Sequence, residues 1–233
     1  MMTNMFSAFD PATTLSSSMN WMMSLIFLII MPSKFWILPN RLNKMINMTI
    51  NMLHNEFKML LGNNSNTNLL ISIFLFIFIN NIMGLIPYVF TSSSHMTFTL
   101  ALALPMWISI ILFGWINKTN EMLAHMIPSG TPSILMPFMV MIETISNLIR
   151  PGALAVRLMA NMTAGHILMS LLGEKASSSM TMMILLISIQ MGLMLFESAV
   201  AIIQAYVFSI LSTLYTSEVI YEFTQPSLPF SSL

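Results

Sequence analysis

Long apolar runs separated by short polar clusters set the pattern of this chain. Leu69–Phe90 is a 22-residue apolar run and Phe98–Ile116 a 19-residue one, each long enough to cross a bilayer core as a helix. Asn80, Asn81, Gly84 and Pro87 punctuate the first run; Pro105 lies inside the second, with Trp107 and Trp115 along it. An earlier run, Leu15 to about Ile37, carries Trp21 and Trp36 as interfacial anchors, and Pro32 and Lys34 put its far end at the headgroups. Arg41–Leu61 has a different texture. Leu42, Met45, Ile46, Leu53, Phe57 and Leu60 fall near one helical face, with Arg41, Lys44, Asn47, Asn51 and Asn55 elsewhere. That spacing predicts an amphipathic helix lying in the interface, ended by Gly62 and the polar cluster through Asn68.

After a polar, Pro- and Gly-punctuated connection from Lys118 to Ser133 come two stretches of 39 and 43 residues, Ile134–Leu172 and Met180–Glu222. The turn Gly173–Ser177 is expected to join them. As helices they would measure about 58 and 64 Å, against a hydrocarbon core about 30 Å thick. Either they break, at Pro137, Pro151 or Gly152, or they lie far from the bilayer normal. The expected fold is an all-α polytopic membrane protein with five spans, the last two a long inclined antiparallel hairpin, plus the interfacial helix. The segments are 1–40 with the first span, 41–68 with the interfacial helix, 69–117 with spans two and three, the connection 118–133, the hairpin 134–222 and a tail 223–233.

Composition names the solvent. Lys, Arg, Asp and Glu make up 7% of the residues, against about 25% in a typical globular chain. With 56% hydrophobic residues and a mean hydropathy of +0.82, the surface must face lipid. A net charge of zero argues against nucleic acid as a partner, and the lack of Cys excludes disulfides and thiolate chemistry. The 27 Met residues pack adaptably and suit a genetic code that assigns extra codons to Met. Residues 1–14 hold no Lys or Arg, so neither a basic signal region nor an Arg-rich transit peptide is expected. Lys34, Arg41, Lys44, Lys58 and Lys118 fall in connections on one side and Lys175 on the other. The positive-inside rule then places the N-terminus outside and the C-terminus inside.

Charges within spans are costly and are functional candidates. Glu143, Asn147, Arg150, Arg157 and Asn161 share one helical stripe, and Gln190, Glu197, Gln204 and Glu218 a second, with Tyr215 three residues before Glu218. Folding the hairpin so that Arg157 meets Gln204 brings Glu143 and Glu218 to one depth, about 21 Å from that centre. His166 and Glu197 then fall on the other side. His166 sits about half a turn round from Arg157, so the outer group is reached from a different face. Two offset polar clusters separated by a cation read as two half-passages rather than one pore. Asn80 and Asn81 are expected to be interhelical glue, and His54, His95 and His125, in connections, to be solvated. No nucleophilic triad, phosphate loop or metal motif stands out, so no cofactor is expected.

Ala153–Met169, ALAVRLMANMTAGHILM, together with Phe196–Leu211, FESAVAIIQAYVFSIL, resembles subunit a of the F-type ATP synthases in its mitochondrial form; Asn81–Phe90, NIMGLIPYVF, is similar to that family's second membrane segment. The resemblance covers roughly residues 1–220. It implies a non-catalytic proton-channel subunit of the mitochondrial inner membrane, wrapped against a ring of c subunits among other membrane subunits and lipid. By it, Arg157 is the stator arginine facing the ring carboxylates; Glu197, His166 and Asn161 match the inlet from the intermembrane space; Glu143 matches the matrix-side outlet, with Tyr215 and Glu218 nearby. Gln204 lies in the second motif. Arg150 departs from the pattern as a second cation on the Arg157 stripe, and Thr224–Leu233 runs past the family's usual end. The alternatives are a stand-alone secondary transporter, which would carry an internal repeat, and a purely structural subunit.

Overall fold

The computed structural model describes residues 6, 9–12, 17–31, 38–62, 67–117, 119–127, 132–178 and 183–224, and their regular elements are helical. A 3-10 stretch, Met19–Leu25, runs into α1 (Ile26–Ile30); then come α2 (Arg41–Leu61), α3 (Thr67–Gly84), a 3-10 turn Ser92–Ser94, α4 (Met96–Asn117), α5 (Thr119–His125), α6 (Met136–Ser178) and α7 (Met183–Thr224). Four helices, α3, α4, α6 and α7, are long and apolar enough to cross a membrane. Of the expected first span the structure describes the apolar segment Met19–Ile30; Leu15, Pro32, Lys34 and Trp36 lie outside the described residues, as do Lys118 and the tail from residue 225.

The amphipathic helix has the predicted limits. Gly62 ends it at φ +76°, its N–H donating to the Lys58 carbonyl at 3.0 Å, a left-handed conformation that a Cβ would penalise. Its apolar face is divided. Phe57 and Leu61 are buried with Leu70 and Ile71 of α3, whereas Leu42 and Met45 are left uncovered by the chain. The Thr67 hydroxyl and Nδ1 of His54, 2.7 Å apart, bind α2 to the start of α3, so His54 is a half-buried joint rather than a solvated group.

Helix α6 is continuous over 43 residues, which removes the broken alternative. Pro137 falls in the first turn, where its missing N–H costs nothing, and Pro151 is carried inside the helix. The expected turn at Gly173–Ser177 is corrected: α6 runs through these residues to Ser178. Nothing lies within 4 Å of a Cβ on Gly173, Glu174 and Ala176 favour helix, and Lys175 complements the helix C-terminus. The connection 118–133 likewise contains α5.

Small residues let these helices approach. Ala103 of α4, Ala155 of α6 and Ala205 of α7 are buried with Ile77, Leu154, Leu158 and Phe208. On α7 the buried stripe continues through Ser209, Ser212, Thr213 and Ser217, whose hydroxyls donate to carbonyls three residues back at 2.6–2.8 Å. Gly165 of α6 faces Glu197 of α7, and Arg150 meets Glu218, so the two helices pack antiparallel. The bundle thus has an α3/α4 end, holding residues 85–95, and an α5 end, where Met122 and Val219 close on Gly114.

Candidate functional site: two cavities about Arg157

Toward the α5 end, a groove of about 420 Å³ is lined by Arg157, Arg150, Ser146, Ala153, Leu211 and Tyr215. The Arg150 guanidinium organises it. Nη2 donates to Oε1 of Glu143 at 3.4 Å and Nη1 to Oε2 of Glu218 at 3.0 Å, while Cζ lies 5.2 Å from the centre of the Tyr215 ring. One cation therefore joins two carboxylates from different helices and stacks on an aromatic face. Glu143 and Glu218 are brought to one guanidinium, that of Arg150. The charge that the sequence left unplaced is the one that joins the pair.

Toward the α3/α4 end, a second cavity of about 420 Å³ is lined by Asn81, Asn161, Gly165, Glu197 and Gln204 with Met162 and Phe196. Glu197 is only 8% exposed, and its Oε1 meets no protein donor. Glycine at 165 makes room for it, since a Cβ there would overlap the carboxyl. Asn81, 1% exposed, donates through Nδ2 to the Ala201 carbonyl at 3.4 Å. That bond is glue between α3 and α7, as expected of it, but Oδ1 is buried without a protein partner and the residue also lines the cavity. His166 is not among the lining residues; its ring stands edge-on to Phe9 at 6.3 Å, with Nε2 buried and unpartnered.

Arg157 and Gln204 thus belong to different cavities, one toward each end of the bundle. Leu154, Ala155 and Leu158 turn into the core while Arg157 turns out. Around it Ala153, Val156, Ala160 and Ala164 are uncovered by the chain, and no carboxylate among the described residues pairs with it. A cation uncovered at the middle of an apolar helix is costly in lipid.

Sequence reasoning did not single out Gly165, and it weighed Asn81 as interhelical glue against a transport role. The first was detectable: Gly165 lies four residues after Asn161, hence on the same face. Nothing marked Tyr206, whose hydroxyl donates to Glu56 of α2 at 3.2 Å. His95 is corrected from solvated to enclosed, with Trp21 and Phe90 each 5.2 Å from its ring centre. The side chain of His125 lies outside the described residues.

Comparison with known proteins agrees with this architecture. The profile described as "ATP synthase A chain" matches residues 14–217. The ATP synthase subunit a of Locusta migratoria is 60% identical over 224 residues, spanning 94% of this chain and all of that protein. Those of Drosophila melanogaster and Anopheles quadrimaculatus are 55% and 56% identical over the same shares. With most of its length matched by the profile and its relatives covered end to end, the chain belongs to the ATP synthase A chain family.

Proposed function

We propose that this chain is the proton-conducting stator subunit of a mitochondrial ATP synthase, delivering protons to a ring of c subunits and receiving them back through two separate half-channels. The observation that carries the reading is Arg157: an uncovered cation on an apolar helix, with a largely apolar cavity that carries a few polar side chains toward each end of the bundle. The small residues around it suit close approach by another helix surface, and a ring bearing carboxylates supplies the anion that Arg157 lacks. Continuous helices of 43 and 42 residues suit an inclined hairpin wrapped against that ring. On this reading residues 15–37 complete five spans, the N-terminus faces the intermembrane space and the C-terminus the matrix.

The chemistry is proton transfer without covalent steps. A proton from the intermembrane space passes the Glu197 cavity, with His166, Asn161 and Gln204 beside the route, and neutralises a ring carboxylate. The neutral group faces lipid at much lower cost than the charged one, so the ring turns. When the carboxyl reaches the groove at the α5 end, Arg157, which keeps its own proton, favours the ionised form and drives release toward Glu143, Tyr215 and Glu218. The same fixed charge blocks direct leakage between the cavities. Each proton crossing with the field contributes about 2.3 kcal/mol per 100 mV.

The test is Arg157→Lys in the assembled synthase. A desolvated Lys gives up its proton and lacks the guanidinium fork, so coupled proton transport is expected to be lost with assembly intact. Normal coupled transport in that variant would overturn the proposal.

A further inference from the structure

We infer that the turn between α3 and α4, Thr91–His95, is the outer mouth of the Glu197 cavity, where water held by Ser93 and His95 passes protons inward. The inference rests on the reading of Glu197 as the inlet carboxylate. Among the described residues, five buried side-chain polar atoms have no protein partner: Asn81 Oδ1, Ser93 Oγ, His95 Nε2, His166 Nε2 and Glu197 Oε1. All five lie toward the α3/α4 end. Buried polar atoms are overwhelmingly paired, and where protein supplies no partner, ordered water does. Unpaired atoms gathered at one end of a bundle therefore trace a wetted region.

The turn has the composition of such a region. Thr91, Ser92, Ser93 and Ser94 are buried in succession, which is costly in apolar surroundings unless each group is satisfied. Thr91 and Ser94 satisfy one another: their hydroxyls lie 3.0 Å apart, and Ser94 Oγ donates to the Thr91 carbonyl at 2.7 Å. Ser93, 0% exposed, is left over. The His95 ring is held in place by Trp21 and Phe90, so its unpartnered Nε2 is a fixed post rather than a mobile one.

The turn also adjoins the cavity. A Cβ on Gly84 would lie 3.2 Å from Cγ2 of Thr91 and 3.9 Å from Cε of Met162, and Met162 lines the cavity with Asn81 and Glu197. Gly84 and the Met162 thioether lie at the contact between turn and cavity, with Leu85 and Ala201 packed about Met162. Met is unbranched and changes rotamer readily, and on the inferred path water passes this seam through such a change.

The chain has no Cys, so a single introduced thiol is unique within it. Ser93→Cys is placed in the assembled synthase in inner-membrane vesicles, and proton flux is followed while Ag⁺ is added. Ag⁺ is expected to block flux in Ser93→Cys and to spare both the parent and Ser109→Cys, an exposed position on α4. A thiol at position 93 that stays unreactive in intact complex overturns the inference, as does a reactive one that leaves flux unchanged. A second pair guards against failed assembly. His95→Phe removes the polar post and should lower flux about fivefold, the worth of one lost hydrogen bond; His95→Gln keeps a polar atom and should hold near the parent. Equal flux in the two overturns the inference. Glu197→Gln is run alongside: normal flux there overturns the reading of Glu197 itself, whereas slowed flux there with no Ag⁺ response in Ser93→Cys overturns only the mouth.

Discussion

Gly165→Ala tests whether the position of the Glu197 carboxyl governs proton flux. The added Cβ would fall inside van der Waals contact of the carboxyl, with Oε2 at 2.9 Å and the remaining atoms closer. Restoring ordinary contact moves the carboxyl by about 1.5 Å, a displacement that the flexible Glu side chain takes up without unfolding the helix. Misplacing a reacting group by about 1 Å costs up to about a hundredfold in rate, so flux is expected to fall tenfold or more while assembly holds. Glu197→Asp withdraws the carboxyl by one carbon–carbon bond, about 1.5 Å. The double variant Gly165→Ala/Glu197→Asp should therefore conduct better than Gly165→Ala alone, a coupling that independent sites do not show. The assay is ATP-driven acidification of inner-membrane vesicles, normalised to assembled complex on native gels. Parent-like flux in Gly165→Ala, or a fall that merely follows loss of complex, would refute the reasoning.

Arg150→Gln frees Glu143 and Glu218; because all three side chains are partly exposed, each lost pair is worth about 0.2–1 kcal/mol. The complex should assemble and conduct more slowly, and its collapse on mild heating before a native gel would show Arg150 to be a structural prop instead. Ala205→Leu overfills the contact between α6 and α7, where Ala205 is fully buried, at about 1–3 kcal/mol. The yield of assembled synthase should drop, and an unchanged yield would contradict the close packing described above.

Much of the fold was legible in one dimension. The limits of α2 were readable because an amphipathic period and a terminal Gly are local signals, and α4 was readable because an apolar run of its length has one stable form in lipid. The end of α6 was not. Gly173 resembles a stop signal, but a glycine inside a helix costs only about 1 kcal/mol, less than the flanking helix formers and capping charge restore. The site divided in the same way. Arg157, Glu197 and Glu143 stood out because intramembrane charge is rare. Asn81 was weighed first as glue and second as a transport residue, and Arg150 could not be placed, because its two carboxylates are 7 and 68 residues away and only one shares its helix.

What the sequence determined by itself is the solvent, the helical character and the identity of the charges within the bilayer. In lipid the backbone must satisfy its own hydrogen bonds, so a long apolar run has little choice but to be a helix, and each ionisable residue it carries declares itself. What the tertiary structure alone decided is which groups meet. The rotation of α6 against α7 turns Arg157 outward and Gly165 toward Glu197, and it sets Arg150 between Glu143 and Glu218. That rotation follows from the fit of Ala155, Ala205 and their neighbours across helices. No period within a single helix encodes it.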